Sequence, residues 1–416
     1  KSAFMVNPEA LQLHHLPHDT LRSILSRLTF RESSRMGLLS RKWRQLWRSC
    51  CPKLVFTRAT MFKPRNKIMR RTRTKFARRV NSLLRQLCAP PTLNKFVVKF
   101  GLRRKHTCHV DRWVRFCSES GAKHITFDFT LGVKKGSFSG FADEKYIFPL
   151  HVFSGPDSSP AHIKSLHLGY VCLSTATTGF AGFANLKKLT LYKISFLSDF
   201  QCLMLPECTA LEWLSISRSS VTNLTFCEPL RRLHYLCLHY CYLDKIELEA
   251  PNLTSFDLTN WPISFALSES LKLMEANIEL LNNRTPYGDN LDYIYTELPA
   301  TLPHVQKLSI TSKLYIYDKL QRFAKTSVRF INLRHLTLYS PLWGESGSVG
   351  GIIRLAYLLE LAPVLEELEL HPYGAEHEHQ STVIKKRLEN AADVNGSHHL
   401  NSNNSTIIQG YLVDNT

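Results

Sequence analysis

The chain has 416 residues, 44% of them hydrophobic, with 53 Lys and Arg against 34 Asp and Glu. That apolar content excludes a disordered chain, and the length allows two or more domains. Residues 1–120 hold 28 basic and 5 acidic residues, whereas the remainder holds 25 and 29. The surplus positive charge therefore sits in the first third and implies an acidic partner there, protein or nucleic acid. No apolar run reaches the ~18 residues of a membrane span, and residues 1–12 lack the apolar core of a secretion signal. No membrane partner is expected. The eleven cysteines are scattered without framework spacing and read as reduced thiols of the cytosol or nucleus.

Leu16 to Arg48 reads as three short helices. Leu21, Ile24, Leu25 and Leu28 make one helical stripe. Phe30, Met36 and Leu39 suggest a second helix, and Trp43, Leu46 and Trp47 a third. Asp19 and Ser40 stand where helix N-caps are expected, and Pro17 sets an extended entry. Three helices in so few residues leave apolar surface for something else to cover.

Lys63–Arg79 follows, with nine Lys and Arg and no acid. Lys63, Arg65, Arg70, Arg71 and Arg73 are the nuclear-import candidates, and the run also fits a nucleic-acid patch. Phe76, Val80, Leu83, Leu84 and Leu87 continue it as an amphipathic helix. The preferred reading of 53–92 is therefore a basic linker and helix.

A repeat governs the rest. Apolar residues recur at i, i+3 and i+5, from Ile163-Leu166-Leu168 through Leu186, Leu211, Leu233, Leu253 and Leu273 to starts at Val305, Leu333 and Leu365. Starts between 163 and 273 lie 20 to 25 residues apart, within the leucine-rich-repeat range, and later copies carry insertions. Weaker copies start at Leu93 and Ala122. The last two apolar residues of each copy alternate on a short strand and point into a core that stacked neighbours share. Outward positions would line a concave face. Trp213, Tyr235, His239 and Asp257 fall on the most regular copies and are the candidate substrate-binding residues. Beyond residue 371 the sequence turns polar, rich in Asn, Ser and His, with at most one short helix near Thr382–Ala392. Residues 372–416 are expected to be poorly ordered.

The leading pattern LPxDxLxxILSxL…LSRxWRxLW, followed by leucine-rich repeats, resembles the plant F-box/leucine-rich-repeat family, including its FBD-bearing members. The stretches His109 to Phe129 and Leu361 to His371 resemble segments of that family too. The resemblance implies an α/β fold, an N-terminal three-helix F-box over residues 13–52 followed by an irregular leucine-rich-repeat solenoid over 93–371, with a truncated FBD-like region at 372–416. It further implies a substrate-recognition subunit of a Skp–cullin–F-box ubiquitin ligase, which catalyses nothing itself. Its partners would be a Skp-type adaptor, through it a cullin, and a protein substrate. Carried over by position, the adaptor-binding residues would be Leu16, Pro17, Leu21, Ile24, Leu25, Leu28, Leu39, Ser40, Trp43 and Trp47. Of these, Leu28 and Trp43 are also candidates for the module's internal core. Skp-type adaptors are acidic, which suits Arg22, Arg27, Arg41, Lys42, Arg44 and Arg48 as rim charges.

The rival reading is a basic repeat scaffold that binds nucleic acid or protein without a ligase role. Catalytic and metal motifs are missing: there is no CxxC pair, HExxH, P-loop or GxSxG. His377 and His379 with Glu376 and Glu378 sit in a polar tail and read as solvated. No cofactor and no metal is expected, nucleic acid is the weaker partner, and the location is nucleus and/or cytoplasm.

Overall fold

The computed structural model describes residues 16–28, positions 32, 35, 36, 41, 43, 45 and 46, then 53–62, 70–87, 93–133, 144–153, 162–173, 183–196, 208–221, 223–225, 229–241, 243–268, 272–281, 293–312, 328–340, 357–372 and 382–385. The chain divides into two compact units, 1–211 with 218–220, and 212–217 with 221–416. Each is built on parallel strands.

In the first unit these are β1 (Lys53–Thr57), β2 (Lys95–Lys99) and β3 (His124–Asp128). After β4 (Tyr146–Phe148) come β5 (Ser165–Gly169), β6 (Val171–Leu173), β7 (Lys188–Tyr192) and β8 (Ser195–Phe196). β1, β2, β3, β5 and β7 pair in that order, all parallel. β4, β6 and β8 form a second parallel ladder. The second unit has β9 (Trp213–Ser217), β10 (Asn223–Thr225), β11 (Tyr235–His239), β12 (Lys245–Glu249), β13 (Ser255–Asn260), β14 (Ser264–Ser268) and β15 (Glu275–Leu280). It continues with β16 (Lys307–Ser312), β17 (His335–Ser340), β18 (Glu367–Pro372) and β19 (Thr382–Lys385). Here β9, β11, β13, β15, β16, β17 and β18 pair in parallel, and β10, β12 and β14 form the second ladder.

Every copy of the i, i+3, i+5 pattern becomes one strand of these sheets, beginning two residues after the copy starts. The register explains why. In β11, Leu236 and Leu238 point inward at 0% and 1% exposure, aligned with Leu214 and Ile216 of β9 and with Phe256 and Leu258 of β13. Each apolar rung is thus buried by the next, and neither side alone would hide it.

Two boundaries differ from the sequence reading. β1 pairs with β2, so the sheet begins at Lys53, inside the segment expected to be a linker. Cys51, Leu54 and Phe56 follow the same spacing, and Leu54 and Phe56 are fully buried. A cysteine at the first position hid this copy. The helix Arg70–Gln86 forms as expected, but it buries Phe76, Ala77, Val80 and Leu84 within the first unit. Phe76 stacks on Phe100 with centroids 4.1 Å apart and meets Trp113 edge-on. Trp113 lies on the helix Thr107–Glu119 and donates to Asn81 Oδ1 at 2.7 Å, tying the two helices together. At the other end, a strand replaces the helix expected near Thr382. β19 pairs antiparallel with β18, matching Thr382–Lys385 to Glu367–Leu370. A Thr-Val-Ile run favours strand, and an antiparallel partner covers the last parallel edge.

The turn after the strand is a second repeated feature. Tyr170, Lys193, Arg218 and Tyr240 each follow a strand by one residue and adopt φ between 52° and 58°. This left-handed residue redirects the chain toward the second ladder. A non-glycine side chain pays a strain there, which sheet hydrogen bonds such as Tyr240 N to Thr259 O at 2.7 Å offset. Among the described residues, no helix is long and apolar enough to cross a membrane.

Candidate functional site

The N-terminal helix spans His18–Arg27, starting one residue before the expected cap at Asp19. Leu21 N donates to Pro17 O at 3.1 Å, and Asp19 lies in the first turn, where its charge meets the positive helix end. Leu21, Leu25, Trp43 and Leu46 form an internal core, all at 4% exposure or less. Three of the adaptor-binding candidates, Leu21, Leu25 and Trp43, are therefore turned inward: their large apolar side chains fill the module before any partner arrives. Leu16, Ile24 and Leu28 pack on this core while staying partly open, and Pro17 is exposed. Leu28, a core candidate in the sequence, keeps accessible surface. Leu39, Ser40 and Trp47 lie outside the described residues, as do Lys63 and Arg65 of the basic run. Arg70, Arg71 and Arg73 fall on the Arg70–Gln86 helix, and the Nε of Arg73 is buried.

On the repeats, the outward positions of the second unit line up in three rows. The first runs Trp213, Tyr235, Ser255, Glu275, Lys307, His335 and Glu367. The second runs Ser215, Cys237, Asp257, Asn277, Ser309, Thr337 and Glu369, and the third runs Ser217, His239, Thr259, Glu279, Thr311, Tyr339 and His371. Parallel in-register pairing of equal-length strands produces these rows, since side chains at one register position stand one strand spacing apart.

All four substrate-binding candidates fall together here. Trp213 stacks on Tyr235 at 3.6 Å between centroids. The Tyr235 hydroxyl donates to Asp257 Oδ2, and Asn277 Nδ2 donates to Asp257 Oδ1 at 2.7 Å. Burial and the Asp257 carboxylate push the Tyr235 phenol above its usual range, so it stays a donor at neutral pH. His239 lies in the next row, beside Cys237 on the same strand face. Trp213, Tyr235, His239 and Asp257 are each half-buried, neither sealed into the core nor fully free. Further along, Glu275, Lys307, His335, Tyr339, Glu367 and Glu369 line an open cavity of about 400 Å³. There Tyr339 stacks on His371 at 4.6 Å, and His335 Nδ1 lies 3.2 Å from Glu367 Oε2. Glu275 and Glu367 of this groove escaped the sequence reading, because only the register shows that they share one surface.

The first unit presents a different surface. Lys53, Lys95, His124, Ser165 and Lys188 form its first row. Burial, then Lys95, Lys164 and Lys123, hold the His124 imidazole below its usual pKa. His167 is likewise lowered by burial, against the pull of Asp128. The positive charge of this face thus comes from lysines.

The family model described as "At1g61320/AtMIF1, LRR domain" matches residues 92–411, and that of the F-box domain matches 13–54. The first runs through most of the polar tail, which the sequence reading set apart from the repeats. Two Arabidopsis thaliana proteins are similar over most of the chain. "F-box/FBD/LRR-repeat protein At1g13570" is 25% identical over 359 residues, covering 85% of this chain and 74% of the relative. "F-box/LRR-repeat protein At3g03360" is 24% identical over 383 residues, covering 87% and 71%.

Proposed function

The chain belongs to the plant F-box/leucine-rich-repeat family, and from that premise we propose that it is the substrate-recognition subunit of a Skp–cullin–F-box ubiquitin ligase. The observation that carries the reading is the N-terminal module. Its core is filled by four inward side chains, yet Leu16, Pro17, Ile24 and Leu28 keep surface on a unit too small to hide them. A Skp-type adaptor covers this surface and links the chain to a cullin. Leu39, Ser40 and Trp47 complete the proposed docking set. The repeats hold a protein substrate through Trp213, Tyr235, His239 and Asp257, and the ligase partners supply the chemistry. The protein itself catalyses nothing. It works in the nucleus, the cytoplasm or both, with Lys63, Arg65, Arg70, Arg71 and Arg73 as the import signal.

Calorimetry with a purified Skp-type adaptor tests the docking half. The double variant Leu16→Ala, Pro17→Ala should lose at least tenfold in affinity while the repeats keep their melting temperature, because neither residue belongs to the module's filled core. Unchanged affinity would sink the assignment.

A further inference from the structure

Cys237 and His239 stand two residues apart on β11, so both side chains leave the same face of the sheet. Asp257 is the register partner of Cys237 on β13. The Cys237 sulfur, a His239 ring nitrogen and an Asp257 carboxylate oxygen all lie within 4.8 Å of one another. We propose that these three side chains form a zinc site on the outward face of the second unit.

The donor set selects the ion. Thiolate, imidazole and carboxylate together suit Zn²⁺, whereas Ca²⁺ and Mg²⁺ require oxygen ligands throughout. Ligands of a tetrahedral zinc stand about 3.3–3.8 Å apart for bonds of 2.0–2.3 Å. Side-chain torsions of about an ångström therefore close the triangle. Three protein donors leave one coordination position facing outward, and water fills it.

The surroundings are those of a held site. Tyr235 and Asn277 each donate to one oxygen of Asp257, which fixes its carboxylate and leaves each oxygen a further lone pair. Burial, with the Asp257 carboxylate, holds the Cys237 thiol above its usual pKa, and hydrogen bonds from the Ser215 and Ser217 hydroxyls oppose that shift, so the ion must displace the thiol proton as it binds. Cys237 is 6% exposed, so the sulfur is shielded from bulk oxidants yet borders the open row. On binding, Zn²⁺ takes the sulfur lone pair as the thiol proton leaves to solvent, with no change in oxidation state. The proposal does not depend on the ligase reading, because the chain alone should bind the ion.

Titration of the full chain with Co²⁺, followed by absorption, tests it. The wild type should show a sulfur-to-metal charge-transfer band and intense visible bands of tetrahedral cobalt, saturating at one equivalent and erased by one equivalent of Zn²⁺. Cys237→Ser should abolish the charge-transfer band, and His239→Ala and Asp257→Asn should each weaken Co²⁺ binding at least tenfold. Asn277→Ala, one step removed from the ion, should weaken it about tenfold. Circular dichroism of each variant establishes that it is folded. Should Cys237→Ser fail to fold, His239→Ala at its half-buried position decides. No charge-transfer band in the wild type, or a band undiminished in the folded variants, overturns the proposal and assigns any bound cobalt to other cysteines and histidines of the chain.

Discussion

In the first unit, the row that opens each strand reads Lys53, Lys95, His124, Ser165, Lys188; in the second it reads Trp213, Tyr235, Ser255, Glu275, Lys307, His335, Glu367. Both rows sit on the same apolar pattern, and both units bury it equally well. The inward cores differ in character as well. Aromatic rings are prominent in the first, where Phe76 and Trp113 from two helices pack with Phe100 beside strands carrying Phe56, Phe96 and Phe127, while Leu and Ile dominate the second. One scaffold thus carries two outward surfaces of different chemistry, because inward positions answer to packing while outward ones are free to vary.

The largest effect expected is on the cores themselves. Phe76→Ala should cost about 3–5 kcal/mol and Leu236→Ala about 2–5 kcal/mol, through lost burial and the cavity left behind. Hydrogen exchange then tests whether the units are separate. Phe76→Ala should speed exchange at Val98 and Phe127 while leaving Leu238 and Leu258 protected. Equal loss of protection in both units would show one cooperative body.

Next comes a charge that, among the described residues, the first unit buries and the second does not. Lys145 is 1% exposed, and its Nζ donates to Lys193 O at 3.0 Å and to Ser195 Oγ at 2.7 Å. Burial brings its pKa down from 10.5 to about 8. Between those values the unfolded chain binds more protons than the folded one. Stability from this group therefore rises as pH climbs from 8 to 10.5, and its penalty is full below 8. Relative to Lys145→Met, the wild type should gain on the order of 1–3 kcal/mol across that window in urea titrations. A pH-independent difference would show that the ammonium is solvated.

Trp213→Ala distinguishes the two faces with the smallest cost to the fold. Losing the stack on Tyr235 should cost about 0.5–1.5 kcal/mol, visible as a small drop in melting temperature. Substrate capture should disappear and adaptor affinity should persist. If capture instead survives Trp213→Ala and fails in the Lys95→Glu, Lys99→Glu double variant, the lysine face of the first unit is the docking surface. A steep salt slope for nucleic-acid binding there would favour the scaffold reading.

The spacing i, i+3, i+5 determined the strands and their inward residues, because alternation on a strand and the need to bury it act within five neighbours in sequence. It also placed Trp213, Tyr235, His239 and Asp257 on one outward face. Tertiary structure decided which outward residues meet. Cys237 meets Asp257 and Asp257 meets Asn277 across twenty residues each, through register alone. Asn81 meets Trp113 through helix packing, and Lys145 meets Ser195 fifty residues on, past the repeat that lies between them. The start of the sheet at Lys53 was equally hidden, since pairing with β2 needs a partner some 40 residues away. In the N-terminal module, periodicity marked Leu21, Leu25, Leu28 and Trp43 as apolar, and only packing separated the three that fill the core from Leu28, which keeps surface. Apolar pattern is written locally, whereas exposure depends on what the rest of the chain brings to cover it.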